Sequence, residues 1–79
     1  MLLFTASWCK PCQELKEWIK QHIPEDVSHF IKIVDIDEEP DLVLKENITG
    51  IPLLLVGNRR YQGREEIKPY LTHLGELGG

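Results

Sequence analysis

The stretch Trp8-Cys9-Lys10-Pro11-Cys12 decides how the rest of the chain is read. Its cysteines are the only two in 79 residues. They fall where an apolar run, Met1 to Phe4, gives way to a helix-like pattern. Their spacing lets the two sulfurs bond, and the first of them lies at a helix start, where backbone N–H groups have no partner within the helix. Free N–H groups favour a thiolate there. A CxxC pair at a strand-to-helix junction therefore suits reversible dithiol–disulfide chemistry.

Downstream of the pair, Pro11 fits the first helical turn, because its missing N–H would have no intrahelical acceptor. Leu15, Trp18, Ile19 and Ile23 recur at helical spacing, with Glu14, Lys16, Glu17, Lys20 and Gln21 on the other face, until Pro24 ends the helix. Glu25 to Ser28 reads as a loop, and Phe30 to Ile36, rich in β-branched residues, as a strand. Acidic Asp35 and Asp37 to Glu39 follow, then Pro40 and a short helix to about Glu46. Leu53 to Val56 is a second wholly apolar strand, Gly57-Asn58 a tight turn, and Arg59 to Gln62 an edge strand pairing back. Ile67, Tyr70, Leu71 and Leu74 form the stripe of a last helix that Gly75 can terminate. Pro69 moves the predicted start of that helix to about Glu66, or else the helix starts earlier and is kinked, since its ring removes an internal hydrogen bond. The order is β-α-β-α-β-β-α in a single domain, residues 1–79.

Size and charge narrow the function. A chain this short has a thin core, and a disulfide closing so small a loop contributes little to it. The cysteines are poorly placed as a staple. Thirteen acidic against 9 basic residues give a net charge of −4, which argues against general nucleic-acid binding. Arg59-Arg60 beside Arg64 is the one basic cluster; it reads as a solvated turn, with a docking patch for an acidic partner as the sharper alternative. No run reaches the roughly 18 apolar residues that would span a membrane. No basic-then-apolar leader precedes the first strand, so a reducing cytoplasm is expected, where a lone CxxC points to catalysis or metal binding.

Zinc needs a second pair of ligands beside the CxxC, and His22, His29 and His73 show no metal-ligand spacing. Redox chemistry needs only the pair. A free cysteine has a pKa of about 8.5, and lowering it to about 7 raises the thiolate fraction at neutral pH from a few per cent to roughly half. Cys9, at the helix start beside Lys10, is the better nucleophile. Cys12, one turn in and on the side leading to Leu15 and Ile19, should be more buried, which suits it to resolve a mixed disulfide formed by Cys9. Lys10 should stabilise the Cys9 thiolate and shift the couple toward a more oxidising potential.

The chain resembles the thioredoxin family. Trp8-Cys9-Lys10-Pro11-Cys12 looks like the WCxPC active site of thioredoxins, with Lys10 where they usually carry glycine. Pro40, Lys45, Ile48, Gly50, Ile51 and Pro52 repeat the family pattern P-x4-K-x2-I-x-G-I-P, and Pro52 follows Cys12 by about 40 residues, as in the family. The resemblance implies an α/β thioredoxin-like fold: a four-stranded mixed sheet, first strand central, flanked by three helices. It implies a cis peptide bond before Pro52, which would present the backbone of Ile51 to an extended substrate. Trp8, Ile51, Pro52, Gln62 and Gly63 map onto the rim that contacts partner proteins. The implied activity is protein disulfide reduction by a monomer without cofactor or metal. Electrons would come from a thioredoxin reductase-type donor and pass to disulfide-containing proteins, ribonucleotide reductase among them.

Departures from the family bear on mechanism. The chain lacks the first strand and helix of a full thioredoxin. The buried aspartate that thioredoxins carry six residues before the first cysteine is Leu3 here, its lysine partner is Ile33, and the second family tryptophan is Thr5. Without that acid, Cys12 must lose its proton to water or to a carboxylate such as Glu14 or Asp35. The small size leaves a glutathione-dependent glutaredoxin as the alternative. Against it, the chain has Lys10-Pro11, Ile51-Pro52 and Gln62-Gly63-Arg64-Glu65 where glutaredoxins carry CPYC, TVP and a GG-x-D clamp. A non-redox binding subunit is a further alternative, but one with no need for both cysteines and the proline.

Overall fold

The two wholly apolar runs become the two central strands. In the computed structural model, which describes residues 1–78, β1 (Leu2–Thr5) and β3 (Leu53–Val56) lie side by side in a four-stranded sheet of order β2-β1-β3-β4. β2 (Lys32–Asp35) runs parallel to β1; β3 and β4 (Arg59–Gln62) run antiparallel to their neighbours. A strand covered on both faces must be apolar on both, which is why neither central strand alternates. Leu3 and Leu54 point to one face, with Leu15, Ile19, Ile23, Ile67 and Leu71. Phe4, Leu53 and Leu55 point to the other, with Val34 and the partly buried Leu42 and Ile48.

Four helices flank the sheet: α1 (Lys10–His22), α2 (Glu25–Ser28), α3 (Pro40–Lys45) and α4 (Arg64–Gly78). α1 and α4 supply the first cluster through Leu15, Ile19, Ile67 and Leu71, and α3 covers the second through Leu42. Three helices were expected. The additional one, α2, is a single turn where a loop was anticipated; its amides bond back to Pro24 and Glu25. Glu25 and Asp26 sit in this first turn, where acidic side chains complement the unpaired N–H groups. β2 is shorter than the β-branched run suggested. The Ile31 amide bonds to the Ser28 carbonyl, closing a turn that leaves Phe30 outside the strand and exposed.

The last helix departs most from expectation. It begins at Arg64, two residues before the anticipated start, because Gly63 at φ +81° turns the chain and its carbonyl accepts from the amides of Glu66 and Ile67. Pro69 lies inside α4, on an exposed flank with Arg64, Glu65 and Lys68, so the carbonyl that loses its amide partner faces solvent. Gly75 does not end the helix. A Cβ there would come within 3.2 Å of Pro24 Cδ, so its bareness lets α4 pass close over the end of α1.

Candidate active site

β1 delivers the chain to the sheet end, and the loop from Ala6 to Cys9 turns it into α1. The turn is fixed by the Ala6 carbonyl, which accepts from the Cys9 amide at 3.1 Å and from Gln13 Nε2 at 2.8 Å. Gln13 lies outside the sequence pattern, and nothing local marks it as the clamp of this loop. Cys9 is the N-cap of α1, in extended conformation, and its Sγ accepts from the Cys12 amide at 3.3 Å. The sulfur thus takes the place of the usual capping oxygen. α1 carries no acidic residue in its first turn, so nothing there opposes a negative charge at Cys9.

Cys9 and Cys12 are joined as a disulfide with Cα atoms 5.2 Å apart. Cys12 is fully buried and Cys9 is 7% exposed. The pair packs with Ala6, and Ile36 and Ile51 cover it. Trp8 is 66% exposed beside it, its indole N–H donating to Asp37 at 2.8 Å. Asp37 is held in turn by its own amide, which donates to Asp35 Oδ1 at 2.9 Å. Read in the sequence as part of an acidic run, Asp37 is the residue that orients Trp8. Lys10 and Pro11 project to solvent from the first turn of α1.

The Ile51–Pro52 peptide bond is cis. Pro52 is buried, and its carbonyl accepts from the Gly63 amide at 2.9 Å, which ties the rim segments together. Gln62 is exposed; its amide donates to Glu66 Oε1 at 2.8 Å, and its side chain lies against Gly50. Trp8 and Ile51 therefore flank the sulfurs, while Gln62 and Gly63 adjoin them through Gly50 and Pro52. The fold brings Cys9, Cys12 and Ile51 into one cluster and joins Pro52 to Gly63.

Of the proton acceptors considered for Cys12, the two carboxylates each have a partner of their own. Glu14 is paired with Arg64 across the α1–α4 gap, and Asp35 accepts from Asp37. Leu3 is fully buried between Ile33 and Leu54 in register, among aliphatic side chains. The arginine cluster is dispersed: Arg64 turns to Glu14, and Arg60 to carbonyls at the end of α3. Arg59 and Arg60 are exposed beside the Gly57-Asn58 turn, as the solvated-turn reading expects. Among the described residues, no three His, Cys, Asp or Glu side chains gather as a metal site, and no helix is long and apolar enough to cross a membrane.

Comparison with known proteins agrees with this geometry. The chain is 36% identical to thioredoxin H2 of Arabidopsis thaliana over 71% of its length and 42% of the relative's. It is 33% identical to human thioredoxin-related transmembrane protein 1 over 96% of its length and 29% of that protein's. Thioredoxin 3 of Plasmodium falciparum is 35% identical over 66% of this chain and 28% of its own length. The chain thus spans less than half of each of these relatives. The solution structure of oxidised thioredoxin from P. falciparum superposes with a TM-score of 0.67 at 22% identity, covering 94% of this chain and 78% of that one, which shows the fold. The thioredoxin family model matches residues 1–71, from β1 through the dithiol corner and into α4, and the chain belongs to the thioredoxin family.

Proposed function

We propose that this domain reduces protein disulfides through the Cys9–Cys12 pair. The observation that carries the reading is the asymmetry of the pair: Cys9 caps α1 and keeps 7% of its surface exposed, while Cys12 is fully buried behind it. In the reduced protein, the Cys9 thiolate attacks one sulfur of a substrate disulfide. A mixed disulfide forms, and the other substrate sulfur leaves as a thiolate that takes up a proton. Cys12 gives up its proton and attacks Cys9 Sγ, which releases the second substrate thiol. Two electrons have then passed to the substrate, and the protein holds the Cys9–Cys12 disulfide. The α1 N-terminus and Lys10 stabilise the thiolate form of Cys9 in both directions.

Trp8, Ile51, Pro52, Gln62 and Gly63 form the rim that receives the substrate, with an extended segment pairing to the backbone of Ile51. A thioredoxin reductase-type enzyme returns the electrons, the setting is the cytoplasm, and reductive enzymes such as ribonucleotide reductase are among the targets. Insulin reduction tests the reading. Turnover is expected with NADPH and a thioredoxin reductase. Turnover only with glutathione and glutathione reductase would overturn the thioredoxin-type activity in favour of a glutaredoxin-type one, and none with either would overturn the reductase reading.

A further inference from the structure

The segment from Glu46 to Pro52 carries Ile51 to the dithiol, yet it contains no regular structure that would hold it. It leaves α3 through Asn47, which sits at φ +53°. The amides of Glu46, Asn47 and Ile48 reach back to the Leu42, Leu44 and Val43 carbonyls, Ile48 and Ile51 pack on the core, and the side chains of Arg60 and Gln62 from β4 meet the segment from the other side. Arg60 and Gln62 stand opposite Leu55 and Leu53 in the β3–β4 register, so both project to the sheet face that α3 covers. The Arg60 guanidinium donates through one nitrogen to the Glu46 carbonyl and through another to the Asn47 carbonyl, the latter at 3.3 Å. These carbonyls lie at the C-terminal end of α3, where acceptors lack intrahelical partners and a cation is favoured. Two residues on, the Gln62 side chain lies so close to Gly50 that a methyl group there would collide with it.

We propose that Arg60 is a positioning residue for the substrate rim: with Gln62 it clamps the 46–50 segment to β4 and so fixes where Ile51 meets the substrate backbone. The planar fork suits this, because its nitrogens are held at a fixed separation and can span two successive carbonyls. An ammonium group carries its three donors on a single nitrogen and has no such fixed separation. Arg60 is exposed, and substitutions at such sites usually change global stability little, so its effect falls on the geometry of the segment. Errors of about 1 Å in substrate placement can cost as much as a hundredfold in rate.

The inference rests on the reading of Ile51 as the residue that presents backbone to substrate, and its test separates the two. Arg60→Met keeps the aliphatic stem and removes the donors. For insulin, KM is expected to rise about fivefold with kcat nearly unchanged. Single-turnover reduction of hydroxyethyl disulfide by the pre-reduced protein, which needs no rim pairing, should stay within about twofold of wild type. Arg60→Lys should fall between wild type and Arg60→Met, and it carries the KM test should Arg60→Met not fold. Hydrogen exchange at the Ile48 amide should be faster in both variants, since the segment is held there from one side only. An unchanged insulin KM, or equal losses on both substrates that track a lowered Tm, would overturn the positioning role. If the wild type reduces hydroxyethyl disulfide but not insulin, the substrate reading fails; exchange at Ile48 unchanged by the substitution would then overturn the clamp as well.

Discussion

Cys12→Ser is expected to leave the protein joined to its substrate through Cys9, as a mixed disulfide that accumulates to near stoichiometry. Attack by Cys9 does not require the second sulfur, but release does, and a serine hydroxyl cannot break the mixed bond. Steady-state insulin reduction should fall by roughly two orders of magnitude or more. Cys9→Ser should lose activity to the same degree and trap nothing, because the remaining sulfur is fully buried. Non-reducing electrophoresis and intact mass after a brief exposure to insulin read the difference. Equal trapping by both variants would show that burial does not divide the roles, and trapping by Cys9→Ser alone would reverse them.

The second large effect concerns the position where thioredoxins carry a buried acid. Leu3→Asp is expected to destabilise the domain by roughly 4–6 kcal/mol, combining the loss of a buried leucine with a polar group left without a partner. A domain of this size has a total stability of about 4–12 kcal/mol, so the loss should take at least about a third of it and, at the low end, all of it. The physical reason is local. Leu3 is fully buried among Leu15, Ile19, Leu54, Ile67 and Leu71, and its register neighbour Ile33 offers no cation. Urea unfolding of both proteins measures the difference; a loss under about 1 kcal/mol would mean that the site can hydrate or pair a carboxylate. The position where thioredoxins hold a buried acid is thus part of the main core here.

Much of this was legible because it depends on local pattern. The apolar runs at Met1–Phe4 and Leu53–Val56 mark strands covered on both faces, and a CxxC soon after the first sets the dithiol at the sheet end. The asymmetry between Cys9 and Cys12 follows from helical spacing, since Cys12, Leu15 and Ile19 share the buried face of α1. What could not be read depends on partners distant in sequence. Trp8 and Asp37 are 29 positions apart, and Arg60 reaches carbonyls 13 and 14 positions away. No periodicity marks such pairs, and an arginine beside another arginine reads as surface charge. Pro69 and Gly75 misled for a related reason. Each is a helix breaker by propensity, but one faces solvent and the other is required by the close approach of Pro24. Packing decided both against local preference.

The central claim is that Cys9 and Cys12 form a reversible two-electron couple. Equilibrating the protein in graded dithiothreitol redox buffers and counting alkylatable thiols by mass tests it directly. Both thiols should appear together in one transition, with a tenfold change in the reduced-to-oxidised ratio for each roughly 30 mV, and reoxidation should restore the disulfide in full. Thiols that appear in separate steps, or a reduced protein that cannot be returned to the disulfide, would contradict the account.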